Sequence, residues 1–391
     1  MAANQKVVST AATVLISVIR VIRWPISPLV DNDLTMRTGF AHLPLHGGKA
    51  PAWLFSRMVR LAREITCHIV AESGAGEVLN RLSDPFWFQA FGCVLGFDWH
   101  SSGLTTTTCG ALKEGIRGLE KDLGLFAAGG KGGVSRKTPQ EVTLACEHLS
   151  RDPQPLVYAS KMAAKVDSAA VQDGYQLYHH AFFFSSDGRW CVVQQGMSDE
   201  TRMARRYHWL SSAVSDFVCE PHSAVCCDNR SSALNLVALE GNDVRKASAE
   251  VASQAPDKTL ALVSRLPNLV LPRRHEVSPV DINPAYLKKI LVQTYEAAPA
   301  DFERLLAMPG VGAKTLRALA LVSELIYGAK PSFRDPARFS FAHGGKDGTP
   351  FPVDRPTYEK TIQVLHDALN RAPVDHSEKT AALKRLARFE N

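Results

Sequence analysis

None of the eight cysteines, at 67, 93, 109, 146, 191, 219, 226 and 227, pairs as C-x-x-C, so no zinc knuckle or iron–sulfur signature is present. Scattered, unpaired cysteines of this kind suit a reducing cytoplasm. Long apolar runs are missing too. "VVSTAATVLISVI" (7–19) stops at 13 residues, short of the roughly 20 that a membrane span needs. Arg20 and Arg23 follow it with no A-x-A site, which argues against a cleaved signal peptide. Charge of one sign is not abundant. A net +6 on 391 residues, with a pI of about 8.8, leans only slightly toward a polyanionic partner. With 45% hydrophobic and 21% charged residues, the composition is ordinary for a globular chain of two or three domains. The first 35 residues lack a pattern that joins the rest. Met36 opens the dense patterning, so residues 1–35 read as an extension without a fold and Met36 as the true start.

A nucleotide loop and a serine elbow are also absent. "GGKGGVSRKT" (129–138) begins like the phosphate loop of partitioning ATPases. However, Ser-Arg-Lys replaces the Gly-Lys, and Pro139 removes a helix N–H. A basic loop suited to contact with DNA remains. "DWHSSGLTTTT" (98–108) offers Asp98, His100, Ser101 and Thr105, but no glycine elbow surrounds the serine.

What is present after Met36 reads as mixed α/β. Helical periodicity covers 51–72, with Leu54, Met58, Leu61 and Ile65 on one face. A very apolar helix covers 83–97, capped by Ser83 with Pro85 in its first turn. A third, at 138–150, opens on a capping box of Thr138 and Glu141. Residues 175–197 predict a β-hairpin turning at Ser-Asp-Gly, and arginine-rich 198–212 is expected to return to helix. Residues 239–284 form two short helical pieces and a proline-punctuated linker. Beyond Pro284 the pattern is helical, apart from a loop at 330–353.

The most specific motif lies there. "PADFERLLAM" (299–308) and "AKTLRALALVSELIYG" (313–328) are amphipathic helices flanking Pro309-Gly310-Val311-Gly312. This is the helix-hairpin-helix pattern. Val311 plugs the core, and the glycines let a phosphate approach the first amides of the second helix. Lys314 adds charge and Thr315 follows it. Such a contact reads the backbone and not the bases. Two His-Gly-Gly-Lys loops, ending at Lys49 and Lys346, are cationic and glycine-opened, as backbone-phosphate contacts require.

Residues 284–385 resemble the helix-hairpin-helix DNA glycosylase superfamily, through the hairpin and the Pro352-Val353-Asp354 that follows it. The resemblance implies that Lys314 is a Schiff-base lysine and Asp354 its catalytic carboxylate. Seventeen residues, "DPARFSFAHGGKDGTPF", intervene where that family has a short loop, and its four-cysteine cluster is absent. From Met36 on, the chain also resembles a family of conserved prokaryotic proteins described only as a domain of unknown function, through "TGFAHLPLHGGKAPAWL", "KVDSAAVQDGYQLYHHAFFFSSDGRWCVVQQGM", "ARRYHWL" and "FVCEPHSA".

Between Lys161 and His222 ionisable groups crowd among aromatics. Strict alternation puts Tyr178 and His180 on one face and His179 on the other, with Gln194 and Gln195 split likewise. Asp167, Asp173 and His180 are the expected ligands of Mg²⁺ or Mn²⁺. Lys161, Lys165, Gln194 and His208 complete a catalytic set for phosphodiester hydrolysis. The expectation is an α/β (α+β) domain at 36–238 with a hairpin-containing sheet, a linker at 239–284, and an all-α helix-hairpin-helix domain at 285–391. The expected function is metal-dependent DNA cleavage in the cytoplasm, with DNA as partner and no membrane. Glycosylase or lyase chemistry at Lys314 and Asp354, or a non-catalytic DNA-binding scaffold, stay open, as does the oligomeric state.

Overall fold

The computed structural model describes residues 50–98, 101–227, 230–263, 284–337 and 355–387. Four helices come first: α1 (Ala52–Ser73), α2 (Ala75–Ser83), α3 (Pro85–Leu95) and α4 (Gly103–Ile116), with a short α5 (Glu120–Leu123). Strand β1 (Leu125–Lys131) follows, then a 3-10 turn (Gly132–Lys137), α6 (Thr138–Leu149) and α7 (Gln154–Lys165). A π-helical turn (Val166–Ala170) leads into β2 (Val171–Gln172), β3 (Gln176–Ser185), β4 (Trp190–Met197), β5 (Ala204–Leu210), β6 (Ala224–Cys226) and β7 (Leu234–Asn235). The chain finishes with α8 (Asn242–Ala252), α9 (Pro256–Val263), α10 (Pro284–Ala297), α11 (Phe302–Ala307), α12 (Ala313–Tyr327), α13 (Arg355–Arg371) and α14 (His376–Ala387).

The main sheet is antiparallel, in the order β1-β3-β4-β5-β6. Successive side chains of a strand face opposite ways, and β3 shows the consequence. Phe182 and Phe184 join the core under α6–α8 and α10–α12, whereas Ala181 and Phe183 join the core under α1–α4, α13 and α14. Burying each of these phenylalanines contributes about 1.5–3 kcal/mol. Both faces are apolar, so both are covered. A separate helical domain after residue 284 does not describe this packing, because α10–α12 share the core of one face and α13–α14 that of the other.

Three local expectations are corrected. Residues 198–212 do not form the expected helix, because β5 occupies 204–210 and only a short 3-10 turn begins at Ser211. Tyr207 and Trp209 favour a strand, and with both faces covered the arginines are buried rather than solvated. Asp84, not Ser83, caps α3, accepting from the amides of Phe86 (2.8 Å) and Trp87 (3.1 Å). The Ser83 hydroxyl donates instead to the Asn80 carbonyl. Glu141 does not close a box with Thr138. Its Oε2 accepts from the Gly129 amide at 2.7 Å and from Lys113 Nζ at 2.6 Å. A carboxylate therefore already holds the glycine-rich strand end.

Gly129 makes that approach possible. It sits at φ 82°, and a Cβ there would lie 2.3 Å from the His180 carbonyl oxygen and 2.6 Å from Thr138 Oγ1. Gly129→Ala is expected to lower stability by about 2–5 kcal/mol, combining left-handed strain with overpacking. Gly133→Ala, where a Cβ meets open space, is expected to stay within about 0.5 kcal/mol. Urea unfolding of the two variants checks the contrast, and equal midpoints would contradict it.

Candidate functional site

Asp167, His180 and Gln194, expected together, do meet. Gln194 Nε2 donates to Asp167 Oδ2 at 2.5 Å and to the Ala163 carbonyl at 3.2 Å. Both acceptors require the amide nitrogen, so Oε1 faces His180 Nδ1, 2.8 Å away. Nδ1 must then carry the proton, which leaves Nε2 to accept from the Ser160 hydroxyl at 2.9 Å. Asp167, fully buried, also accepts from Trp209 Nε1 at 3.0 Å and from His222 Nε2 at 2.5 Å. The result is a directed chain of hydroxyl, imidazole, amide and carboxylate. Burial pushes the His180 imidazole below its usual range, while the Gln194 bond and the Asp167 charge oppose that. Ser160 and Trp209 lie outside the set that the sequence points to. Ser160 and Asp167 are seven apart, two turns of one helical face, and that period is the available signal. A π-helical turn begins at Val166, and turns of this type recur at functional sites.

Other members of the expected set lie elsewhere. Asp173 accepts from Arg205 Nη1 (2.8 Å), Tyr207 Oη (2.7 Å) and the Tyr175 amide (3.1 Å). Arg205 also reaches Asp335 at 2.8 Å. Burial alone would lower Arg205, but Asp173 and Asp335 hold it well above its ordinary value. His208 lies on the opposite face of the sheet, where Nδ1 binds the Leu82 carbonyl and Nε2 accepts from Arg206. Lys161 is exposed on α7. Thr105 serves Arg206 at 3.3 Å, and Ser101 Oγ accepts from the Gly103 amide. His100, Lys49, Lys346 and Asp354 lie outside the described residues, and so does the extension at 1–35.

The expected metal ligands do not form a set. Both Asp167 oxygens, both His180 nitrogens and Asp173 Oδ2 are engaged by protein groups, and Asp173 belongs to a different cluster. Among the described residues, no three His, Cys, Asp or Glu side chains are grouped to hold one ion. The arrangement does not fit Mg²⁺ or Mn²⁺ at Asp167, Asp173 and His180.

The opposite face corrects the alternation argument. The β3–β4 register shifts between Leu177 and His179, a bulge that turns Tyr178 away from His180. Its hydroxyl joins the Gln195 amide, which also donates to the Ser102 carbonyl at 2.8 Å. His179 pairs with Gln195 across the strands and is buried, with no hydrogen bond to either ring nitrogen among the described residues. Burial pushes it down to about 3.

The turn between α11 and α12 is built as its sequence predicts. Asp301 caps α11 through the Arg304 amide at 2.7 Å. Val311 is 1% exposed and Thr315 3%, whereas Pro309, Gly310 and Lys314 are exposed. Gly310 takes φ 82°, which a β-carbon resists. Gly312 opens α12 without a side-chain cap, and a Cβ there would meet open space. Lys165, expected to be catalytic, has another role. Its Nζ donates to the carbonyls of Met308 (2.9 Å) and Val311 (2.7 Å), fixing a cation beneath the turn. Burial lowers its pKa. Gln172 braces α12 as well, donating to the Ala313 carbonyl and accepting from Arg317.

An open cleft of about 670 Å³ lies between α8, the start of α11 and residues 215–218, lined by Asp216, Arg245, Lys246, Glu250, Asp301 and Glu303 among others. Among the described residues, none of the expected catalytic ones lines it. No described helix is long and apolar enough to cross a membrane.

Residues 39–353 match the sequence model of a family described as protein of unknown function, DUF763. The chain belongs to that family. No curated protein and no solved structure matches it.

Proposed function

We propose that this DUF763 protein binds DNA through the α11–α12 turn, as a helix-hairpin-helix contact to backbone phosphate, in DNA repair or processing. The observation that carries the reading is the Lys165 ammonium, bonded to two turn carbonyls at 2.9 and 2.7 Å. It holds the turn rigid and places positive charge behind the start of α12, where the helix dipole is already positive. Exposed Lys314 adds a cation in the first turn. A contact of this kind is indifferent to base sequence.

The test is a fluorescence titration of mixed-sequence duplexes against the full chain. Wild-type affinity is expected to fall steeply with salt. A Gly310→Val/Gly312→Val variant should weaken binding equally on every sequence tried, about tenfold or more. Unchanged affinity in a folded double variant would remove the claim.

A second reading, cleavage of the bound strand, is favoured by the hydrogen bond from Ser160 to His180. An imidazole that accepts from a hydroxyl, and is itself held by an amide that a carboxylate holds in turn, is similar to the arrangement that activates an oxygen nucleophile. Incubating duplex, nicked, abasic and single-stranded DNA with Mg²⁺, Mn²⁺ or EDTA separates the outcomes. Cleavage in EDTA that Ser160→Ala abolishes supports this chemistry. Cleavage only with the metal, absent in His180→Ala, supports a metal nuclease. An adduct trapped by borohydride in EDTA, and absent in Lys314→Ala, supports a lyase. No product on any substrate leaves a scaffold.

A further inference from the structure

We infer that the glycine-rich 3-10 turn at Gly132–Lys137, with Lys161 of α7, is a second backbone-phosphate contact that engages the same DNA as the α11–α12 turn. This inference rests on the DNA-binding reading above. Its basis is where the fold brings the chain ends of three elements.

Lys165 closes α7 and bonds the α11–α12 turn directly, so that end of α7 lies against the turn. A connection of only four residues, 150–153, joins α6 to α7, and the two helices pack on each other. A link this short returns the second helix antiparallel to the first. The start of α6 therefore lies beside the end of α7. The 3-10 turn runs straight into that start. The strand register agrees, because Lys131, the last residue of β1, pairs with His179 near the start of β3. Gln172, four residues before β3, holds the start of α12. Packed helices stand about 8–10 Å apart, so the 3-10 turn lies at the same end of the α6–α7 pair as the α11–α12 turn.

The residues at this end suit a polyanion. Lys131, Arg136, Lys137 and Lys161 are exposed, as is Lys314. Gly132 and Gly133 have open space where a Cβ would stand, so a phosphate can reach the backbone there. The nearest acidic side chain in sequence, Glu141, is committed to Lys113 and the Gly129 amide. The exposed pair Asp199 and Glu200 lies on the β4–β5 turn, and β4 is two strands away from β1.

The experiment compares an Arg136→Ala/Lys137→Ala/Lys161→Ala variant with wild type on a fluorescein-labelled mixed-sequence duplex, from about 50 to 200 mM salt. All three side chains are exposed, and circular dichroism melting confirms that the variant folds. The slope of log K against log salt should become shallower by about 2.7, at about 0.9 for each phosphate no longer neutralised, with affinity lower at every salt concentration. The Gly310→Val/Gly312→Val variant, measured alongside, should bind more weakly while keeping the part of the slope that the 3-10 turn supplies. If the triple variant keeps the wild-type slope and affinity while the glycine variant binds weakly, the second contact is wrong and the hairpin reading stands. If wild type binds no duplex at any salt concentration, both are wrong.

Discussion

Asp167→Ala is expected to lose about 3–5 kcal/mol of stability, the range for removing one partner of a buried charged network. Gln194 Nε2, Trp209 Nε1 and His222 Nε2 all donate to this carboxylate, and it is fully buried, so water cannot replace it. Alanine removes the acceptor of Trp209 and His222, and one of the two that Gln194 Nε2 has. Asp167→Asn keeps one oxygen but aims an NH₂ at a donor, and about 1–3 kcal/mol is expected. Urea unfolding followed by tryptophan fluorescence reads both, since Trp209 belongs to the network. A loss under about 1 kcal/mol for alanine would mean that the cluster does not hold the fold together. The result also bears on function. A Ser160→Ala variant that folds normally yet loses cleavage would separate chemistry from support.

Stability is expected to fall as pH drops from about 7 toward 5. His179 is held down to about 3 by burial. Burial also lowers His180, and it takes His208 well below its usual range, with Arg206 adding repulsion. All three shifts are downward from an unfolded value near 6.5. The unfolded chain therefore binds more protons than the native one below that value, and stability falls as pH falls. For His179 alone the loss by pH 5 is about 2 kcal/mol, at about 1.4 kcal/mol per pH unit, and the other two add in the same direction. Above about pH 7 these groups contribute no slope. Urea midpoints measured from pH 7.5 to 5 should fall steadily, and His208→Asn should remove part of the dependence. A flat or rising midpoint toward pH 5 would contradict the assignment.

Much of the local structure is legible in the sequence. The hairpin of β3 and β4 follows from aromatic and β-branched runs around Ser-Asp-Gly. The α11–α12 turn follows from amphipathic helices on either side of Pro-Gly-Val-Gly. In both, the neighbours in space are neighbours in sequence, so propensity and turn chemistry suffice. Strand β5 reads as helix because Arg205 and Arg206 look solvated. A strand covered on both faces loses the alternation that marks strands.

The polar clusters are legible only in part. That Asp167, His180 and Gln194 meet follows from their crowding between 161 and 222. Asp173 does not join them, because its cluster runs through Arg205 to Asp335, 130 residues further on. Lys165 reads as catalytic from its neighbours, yet the carbonyls it binds lie 143 and 146 residues away. Tyr178 falls on the other side from His180, since a bulge interrupts the period of two.

By itself, then, the sequence determined most of the helices, the hairpin and the glycine turn, because each depends on φ/ψ preference and periodicity over a few residues. The tertiary structure alone decided which polar groups share a face, which cation supports the turn, and that the C-terminal helices divide between two faces of one sheet. Those outcomes depend on pairings between distant segments. They are set by the need to cover both apolar faces of β3–β5 and to give each buried donor an acceptor, conditions that no local window of residues contains.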